Sequence, residues 1–355
     1  MNRKPPRCDI FCKVIDNFGD AAVCWRLSRQ LCREHGWKVR LLIDRPDVLD
    51  KLVPNVSSEP VIVEKWDGAS GCCFTNPAPI AIEAFGCDLP KSYIDAMISM
   101  APQPLWLNLE YLTAESWADD CHGLESRHPQ LPLVKFFFFP GFTDKTGGLL
   151  READYEQRRN SFDPADFRRE FGLPDNEPPE TLTISLFSYP TPLLPQLITA
   201  WADSPLSIHA LLPGSTDTAH KIGSLTLSPL PFLPQQRYDE LLWLSDINFV
   251  RGEDSFVRAQ LAGKPLVWHI YPQDEFAHIA KLDAFLQRYP TGNKMEPLWK
   301  AWNLAPGASP LYSAWRSFVS ELPTLNQAAK AWQQTLTRQT DLASRLVKLY
   351  RERLE

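Results

Sequence analysis

A chain of 355 residues is longer than one ordinary hydrophobic core fills, so two domains are expected. Hydrophobic residues at 44% and charged residues at 23% exclude an intrinsically disordered chain. A formal net charge of −6 argues against a nucleic-acid binder, which relies on a basic domain or stripe.

The first seven residues are polar and basic, but the apolar stretch after them is short and broken by Asp9 and Lys13. This is neither a signal peptide nor a membrane span, and no run of about 18 apolar residues occurs elsewhere. A cytoplasmic protein without a membrane partner is expected. The eight cysteines, at positions 8, 12, 24, 32, 72, 73, 87 and 121, all lie in the first third of the chain. Cys8 and Cys12 share one face of an expected strand, yet no second pair of metal-ligand spacing completes them, so buried reduced thiols are expected.

Residues 9–15 form a short apolar run suited to a strand covered on both faces. Asp16-Asn17-Phe18-Gly19-Asp20 is turn chemistry. From Ala21 onward Val23, Cys24, Leu27, Leu31 and Cys32 recur at helical spacing, with Arg26, Arg29 and Arg33 on the other face and Gly36 placed to end the helix. Residues 37–43 return as a strand, and strand-like runs follow at 61–63, 79–85, 105–109 and 133–139, with a helix at 91–100. The run Phe136 to Phe139 reads as buried sheet. Strands alternating with helices imply a largely parallel sheet.

Between residues 151 and 180 the composition turns charged and proline-rich, which marks a domain boundary. The expected division is 1–175, joined by a C-terminal helix at about 336–355, against 176–335. The second part holds strands at 181–187, 207–212, 225–227, 247–250 and 265–270 and helices at 191–202, 236–245, 255–262 and 274–289. Residues 311–355 read as almost wholly helical. The fold class is α/β, with two Rossmann-like domains and a ligand between them. In open α/β sheets, ligands bind outside the carboxyl ends of the strands.

Three segments at such strand ends carry the candidate chemistry. In the first, Asp16 and Asp20 stand four apart around the loop Asn17, Phe18 and Gly19. Either they grip and deprotonate a cationic acceptor, or Asp20 caps the helix and Asp16 closes an Asx turn. The glycine pattern of a dinucleotide fold is missing, which argues against a dehydrogenase. The second segment is Arg251-Gly252-Glu253-Asp254-Ser255, at a strand-to-helix junction. The free amides of the helix start offer an anion site for a diphosphate, and Glu253 offers an acceptor for a ribose or sugar hydroxyl; an ordinary capped helix is the alternative. The third comprises Phe187 and Tyr189 with Phe232, Gln235 and Tyr238. Aromatic residues beside amides at strand ends sandwich a nucleobase, or else are plain core. The seven histidines show no metal spacing, His269 and His278 read as packing or surface residues, and no D-x-D pair stands at a strand end. Neither a metal nor a cofactor is expected.

Taken together, these segments resemble the protein-arginine rhamnosyltransferases that modify bacterial elongation factor P. The resemblance rests on Ile10-Phe11-Cys12-Lys13-Val14-Ile15-Asp16-Asn17-Phe18-Gly19-Asp20, on Trp106-Leu107-Asn108-Leu109-Glu110-Tyr111-Leu112, and on Phe142 with Gly147-Gly148-Leu149. It is strongest from Phe249 to Gln260 and through Trp268-His269-Ile270-Tyr271-Pro272-Gln273. It implies a GT-B fold, two facing Rossmann-like domains with the C-terminal helix crossing back to the first. It also implies dTDP-β-L-rhamnose as donor, an arginine of elongation factor P as acceptor, and inversion at the anomeric carbon. By position Asp20 is similar to the family's general base and Asp16 to its guanidinium holder, with Asn17, Phe18 and Gly19 as the acceptor loop. Glu253 is similar to its essential donor-side carboxylate, with Asp254 and Ser255 beside the diphosphate and Arg251 among the donor-binding residues. Phe187, Phe232 and Tyr238 resemble the wall of its thymidine pocket, and Tyr189 and Gln235 the polar contacts. The rivals are a GT-B transferase with another sugar or a small-molecule acceptor, and a non-catalytic nucleotide-sugar-binding partner of the factor.

Overall fold

The first sheet is built from β1 (Arg7–Cys12), β2 (Lys38–Ile43), β3 (Ile62–Lys65), β4 (Ile80–Ala84), β5 (Leu105–Leu109), β6 (Glu125–Arg127) and β7 (Val134–Phe138). Their order is β3-β2-β1-β4-β5-β7-β6, parallel throughout except for the antiparallel β6–β7 pair. The structure, a computed structural model, describes residues 5–16, 18–67, 76–175 and 177–354. Asn17, Cys72 and Cys73 lie outside them.

β4 and β5 are buried at every position and β1 at all but its first, the unbroken burial that a parallel sheet covered on both faces requires. β7 departs from the expectation of a fully buried phenylalanine run. Only Phe138 is buried within it, because its outer neighbour β6 is a short exposed edge strand; Phe136 is instead covered by the Arg353 guanidinium, 4.5 Å from the ring centroid. Phe11 anchors one face of the sheet, with Trp66 and Tyr93 rings at 5.4 and 4.7 Å.

The Gly19–His35 helix connects β1 to β2 and stops where Gly36 turns left-handed (φ 67°), its N–H bonding the Cys32 carbonyl. The Leu342–Leu354 helix belongs to this unit. Gln30 Nε2 donates to Asp341 Oδ1 (3.0 Å), Tyr350 packs edge-on to Trp37, and Arg345 Nη1 donates to the Thr143 carbonyl (2.7 Å).

The second sheet comprises β8 (Leu182–Leu186), β9 (Ile208–Pro213), β10 (His220–Ile222), β11 (Leu225–Leu230), β12 (Ile247–Arg251) and β13 (Leu266–His269), in the order β10-β11-β9-β8-β12-β13. Only the β10–β11 hairpin is antiparallel. Trp201, Trp302 and Trp315 surround Phe249 of β12, with centroids between 5.5 and 6.3 Å.

The chain divides into Met1–Ala153 with Gln339–Glu355, and Asp154–Arg338. The division therefore falls within the charged, proline-rich stretch, but near its start at 153/154 rather than at 175. That stretch carries two short helices, Tyr155–Asn160 and Pro164–Glu170, and both insert an aromatic residue into the second unit. Tyr155 is fully buried and its hydroxyl accepts the indole N–H of Trp243 at 2.8 Å. Composition registered the polar faces of these helices and missed the single buried ring on each. The helical tail resolves into Leu311–Ser320, Leu322–Arg338 and Leu342–Leu354. Among the described residues no helix is long and apolar enough to cross a membrane.

Among the parallel strands of each sheet the order reverses once, between β1 and β4 in the first and between β8 and β12 in the second. Ligands of open α/β sheets bind outside the carboxyl ends of the strands at such reversals. Residues 13–20 leave the end of β1, and residues 187–189 and 252–255 leave the ends of β8 and β12. All three candidate segments are thus tied to a reversal point, though Phe232, Gln235 and Tyr238 follow β11 instead.

Candidate functional site

In the first unit, the chain leaving β1 is tied down at once. The Val14 N–H donates to Asp44 Oδ1 (2.9 Å), just past the end of β2. The turn is closed by backbone, Gly19 N–H donating to the Asp16 carbonyl (2.7 Å). A Cβ at residue 19 would stand 2.9 Å from Asp16 Oδ2, so glycine leaves room for that carboxylate.

Asp20 lies in the first turn of the helix and is only 2% exposed. It does not cap the helix: Phe18 occupies the N-cap position, without a side-chain bond to the helix amides. Instead Asp20 Oδ2 reaches back to accept the N–H groups of Ile15 (2.7 Å) and Asp16 (2.9 Å). Its other oxygen, Oδ1, accepts the Tyr111 hydroxyl at 3.2 Å. One oxygen holds the loop and the other is offered beside an aromatic side chain. A carboxylate whose direction is fixed in this way is suited to orient a cation and to receive a proton along one line. Asp16 is half-buried beside it, and Phe18 is half-buried with the Lys51 ammonium 5.9 Å from its ring.

Tyr111 was not singled out from the sequence as a site residue, and neither was Phe85. Their rings stack at 4.3 Å with 14° between planes. They meet because β4 and β5 are neighbours, and each residue stands just past its strand's carboxyl end. An aromatic residue directly after a central strand was the available signal. Behind this loop the thiols of Cys24 and Cys87 are raised, the first by its hydrogen bond with Cys12 and by burial, the second chiefly by burial. Such thiols stay protonated and are poor nucleophiles.

In the second unit, β12 ends at Arg251. Gly252 adopts a left-handed backbone (φ 60°), Glu253 takes the N-cap position without a side-chain cap, and Asp254 begins the Asp254–Ala262 helix. The Gly252 carbonyl accepts the Trp268 indole N–H at 2.8 Å, which fixes the turn. Ser255 Oγ accepts the Arg251 N–H (3.1 Å) and donates to the Arg251 carbonyl. Asp254 is approached by Gln235 Nε2, at 3.5 Å.

The Arg251 guanidinium lies 4.3 Å from the ring centroid of Phe187 and 4.9 Å from that of Tyr189, with Nη1 donating to the Ser188 carbonyl. Tyr238 packs edge-on to Phe187 at 5.6 Å, and burial pushes its hydroxyl pKa up. Phe187, Tyr189, Arg251 and Tyr238 therefore form one cluster, and Gln235, Asp254 and Ser255 adjoin it. Glu253 is half-buried at the helix start. Phe232 is half-buried in the stretch between β11 and the Gln235–Leu244 helix. A cation, a helix N-terminus and aromatic faces are the components of a nucleotide-diphosphate site.

His269 is a packing residue, one of the two roles expected of it. It is 5% exposed, is the register partner of Arg251 on the neighbouring strand, and packs edge-on to Tyr189 at 5.3 Å. Burial, then the Arg251 cation, then His278 pull its pKa down from 6.5 to about 4. The imidazole is neutral in the folded protein at neutral pH. Because the folded pKa is lowered, its contribution is complete above pH 6.5 and is lost as pH falls toward 4. Over that interval the wild type should lose about 3 kcal/mol more stability than His269→Gln, at roughly 1.4 kcal/mol per pK unit. Urea unfolding at a series of pH values measures it, and parallel curves for the two proteins would refute the assignment.

Among the described residues no group of three or more histidine, cysteine, aspartate or glutamate side chains is arranged to hold a metal ion. The family model described as elongation factor P (EF-P) rhamnosyltransferase EarP matches residues 8–351. The chain belongs to this family. A protein-arginine rhamnosyltransferase of Pseudomonas putida is 43% identical, over 98% of this chain and 99% of its own length. One of Neisseria meningitidis is 42% identical over 80% and 79%. A solved structure described as the structural basis for EarP-mediated arginine glycosylation of translation elongation factor EF-P superposes with a TM-score of 0.68. It is 32% identical and covers 98% of this chain and 100% of its own. The calicheamicin glycosyltransferase CalG4, at 12% identity over 99% and 100% of the two chains, shares the fold with a TM-score of 0.55. The fold of this EF-P rhamnosyltransferase family member is thus GT-B, and the chain is a transferase.

Proposed function

We propose that this chain transfers L-rhamnose from dTDP-β-L-rhamnose to an arginine guanidinium of elongation factor P, with inversion, in the cytoplasm where that factor works. The observation that carries the reading is the Asp20 carboxylate, aimed by two backbone amides at the reversal point of the first sheet, with Asp16 beside it. Family membership and the relatives' activity support it.

A guanidinium has a pKa above about 12, and its nitrogens are weak nucleophiles while the charge is delocalised. Asp16 and Asp20 hold the cation and localise its charge. As a guanidinium nitrogen attacks the anomeric carbon, the C–N bond forms and Asp20 takes the proton. The bond from that carbon to the diphosphate oxygen breaks, and its electron pair leaves with dTDP. A single in-line displacement inverts the centre. Arg251 and the amides that open the Asp254–Ala262 helix stabilise the departing diphosphate, with Tyr189 as a hydroxyl donor, while the Ser255 hydroxyl holds the turn beside it. Glu253 holds the sugar. Phe187, Phe232 and Tyr238 enclose the thymine, and Gln235 reads its edge. The proposal employs no metal, cofactor, nucleic acid or membrane.

Incubation of the enzyme with dTDP-β-L-rhamnose and elongation factor P in the presence of EDTA, followed by mass measurement, is expected to show one added deoxyhexose on an arginine. No added mass with this donor, alongside transfer from another nucleotide sugar, would replace the donor assignment. Binding of donor and factor without product would replace the enzymatic one.

A further inference from the structure

We infer that Phe85 and Tyr111 form an aromatic step that makes the acceptor site selective for a planar guanidinium over a compact ammonium. The inference rests on the acceptor chemistry proposed above. Phe85 follows β4 and Tyr111 follows β5, in strands paired up to Ala84 and Leu109. Phe85 holds φ at +58°, in the left-handed region, where a bulky side chain is strained and persists only when its surroundings impose it. Its N–H is fixed on the Leu109 carbonyl (2.7 Å), and the next N–H, of Gly86, on Asn108 Oδ1 (3.3 Å). These bonds hold the residue off the strand path with its ring flat on Tyr111. Both rings remain half-buried rather than sealed in the core. The Tyr111 hydroxyl ends on Asp20 Oδ1, so the stack terminates at the carboxylate assigned to receive the proton.

Two carboxylates attract any cation and cannot by themselves tell arginine from lysine. A guanidinium differs in being flat and weakly hydrated, so it lies against an aromatic face while its edge meets a carboxylate; an ammonium keeps its water and gains less. Phe85 and Tyr111 supply that face, and Tyr111 is also a positioning residue for Asp20.

The test uses the full-length enzyme with elongation factor P as acceptor, and ethylguanidinium and ethylammonium as inhibitors competing with it. Phe85→Leu and Tyr111→Leu should each raise the acceptor KM about tenfold and leave the donor KM unchanged. Tyr111→Phe keeps the ring and should restore the acceptor KM while kcat stays low, because Asp20 loses its hydroxyl contact. Wild type should prefer ethylguanidinium to ethylammonium about tenfold, and the leucine variants should lose that preference, which a merely structural role would not alter. An unchanged acceptor KM in Phe85→Leu, or an unchanged inhibitor preference, overturns the inference. If Tyr111→Leu does not fold, Phe85→Leu and Tyr111→Phe decide alone. If the wild type modifies no arginine, the proposed function fails separately, and calorimetric binding of the two small cations still decides the aromatic step.

Discussion

Asp20→Asn should lower kcat/KM for rhamnosyl transfer by about a thousandfold, within the range of roughly 10²–10⁴ typical of a lost general base. The nucleoside diphosphate Kd should stay unchanged, since the residues assigned to it stand on a different sheet. Asparagine suits the experiment because of what Asp20 does locally. Its amide oxygen can still accept the N–H groups of Ile15 and Asp16, and its NH₂ can donate to the Tyr111 hydroxyl, so the loop keeps its bonds. What disappears is the negative charge, and with it the ability to take a proton and one half of the grip on the guanidinium. Single-turnover measurement with saturating donor reports the chemical step, and calorimetry with dTDP reports the second site. Normal turnover in this variant would remove Asp20 from its role and move the base to Asp16.

Most of the strand plan was legible because buried parallel strands are short, mainly apolar runs, as in Ile80–Ala84 and Leu105–Leu109, each with one polar residue, Glu83 and Asn108. The β6 and β10 edge strands were not legible. Each is three exposed residues long, and its existence depends on the partner strand rather than on its own pattern. The Asp47–Leu52 helix, a single short amphipathic segment after a proline, left no periodic signal of useful length. At the site, Asp16, Asp20 and the Arg251–Ser255 segment announced themselves through turn chemistry at strand ends. From spacing alone the capping reading of Asp20 was the stronger one, and the bonds of its two oxygens to Ile15, Asp16 and Tyr111 set it aside. Tyr111 lies 91 positions from Asp20, and no local rule joins them; the sheet order does. The packing role of His269 was legible, but its place beside Arg251 was not, since the two are partners across two parallel strands and distant in sequence.

The second unit, to which the donor is assigned by proposal, depends on a buried ion pair, and breaking it should be the most destabilising polar change among its described residues. Arg258 and Asp239 are both fully buried. Two bonds join them, Nε to Oδ1 at 2.8 Å and Nη2 to Oδ2 at 2.6 Å, and the guanidinium also lies 4.4 Å from the Tyr155 ring. Asp239 belongs to the Gln235–Leu244 helix and Arg258 to the Asp254–Ala262 helix, so the pair locks together the two helices that present Gln235, Tyr238, Asp254 and Ser255. Removing one partner strands a charge that water cannot reach, at a cost of about 3–5 kcal/mol. Arg258→Met should fall toward the lower end of that range, because Arg158 Nη1 stands 3.6 Å from Asp239 Oδ2 and leaves the carboxylate partly compensated. Asp239→Leu combined with Arg258→Met should recover most of the loss, since two apolar groups of similar volume bury no charge. The readout is the urea transition that added dTDP shifts, which reports the unit proposed to bind the nucleotide. The dTDP Kd of the single variant should weaken in parallel, as the two helix starts lose their common reference. A loss below about 1 kcal/mol would mean that the pair is no stronger than an exposed one, and that packing alone sets the helices.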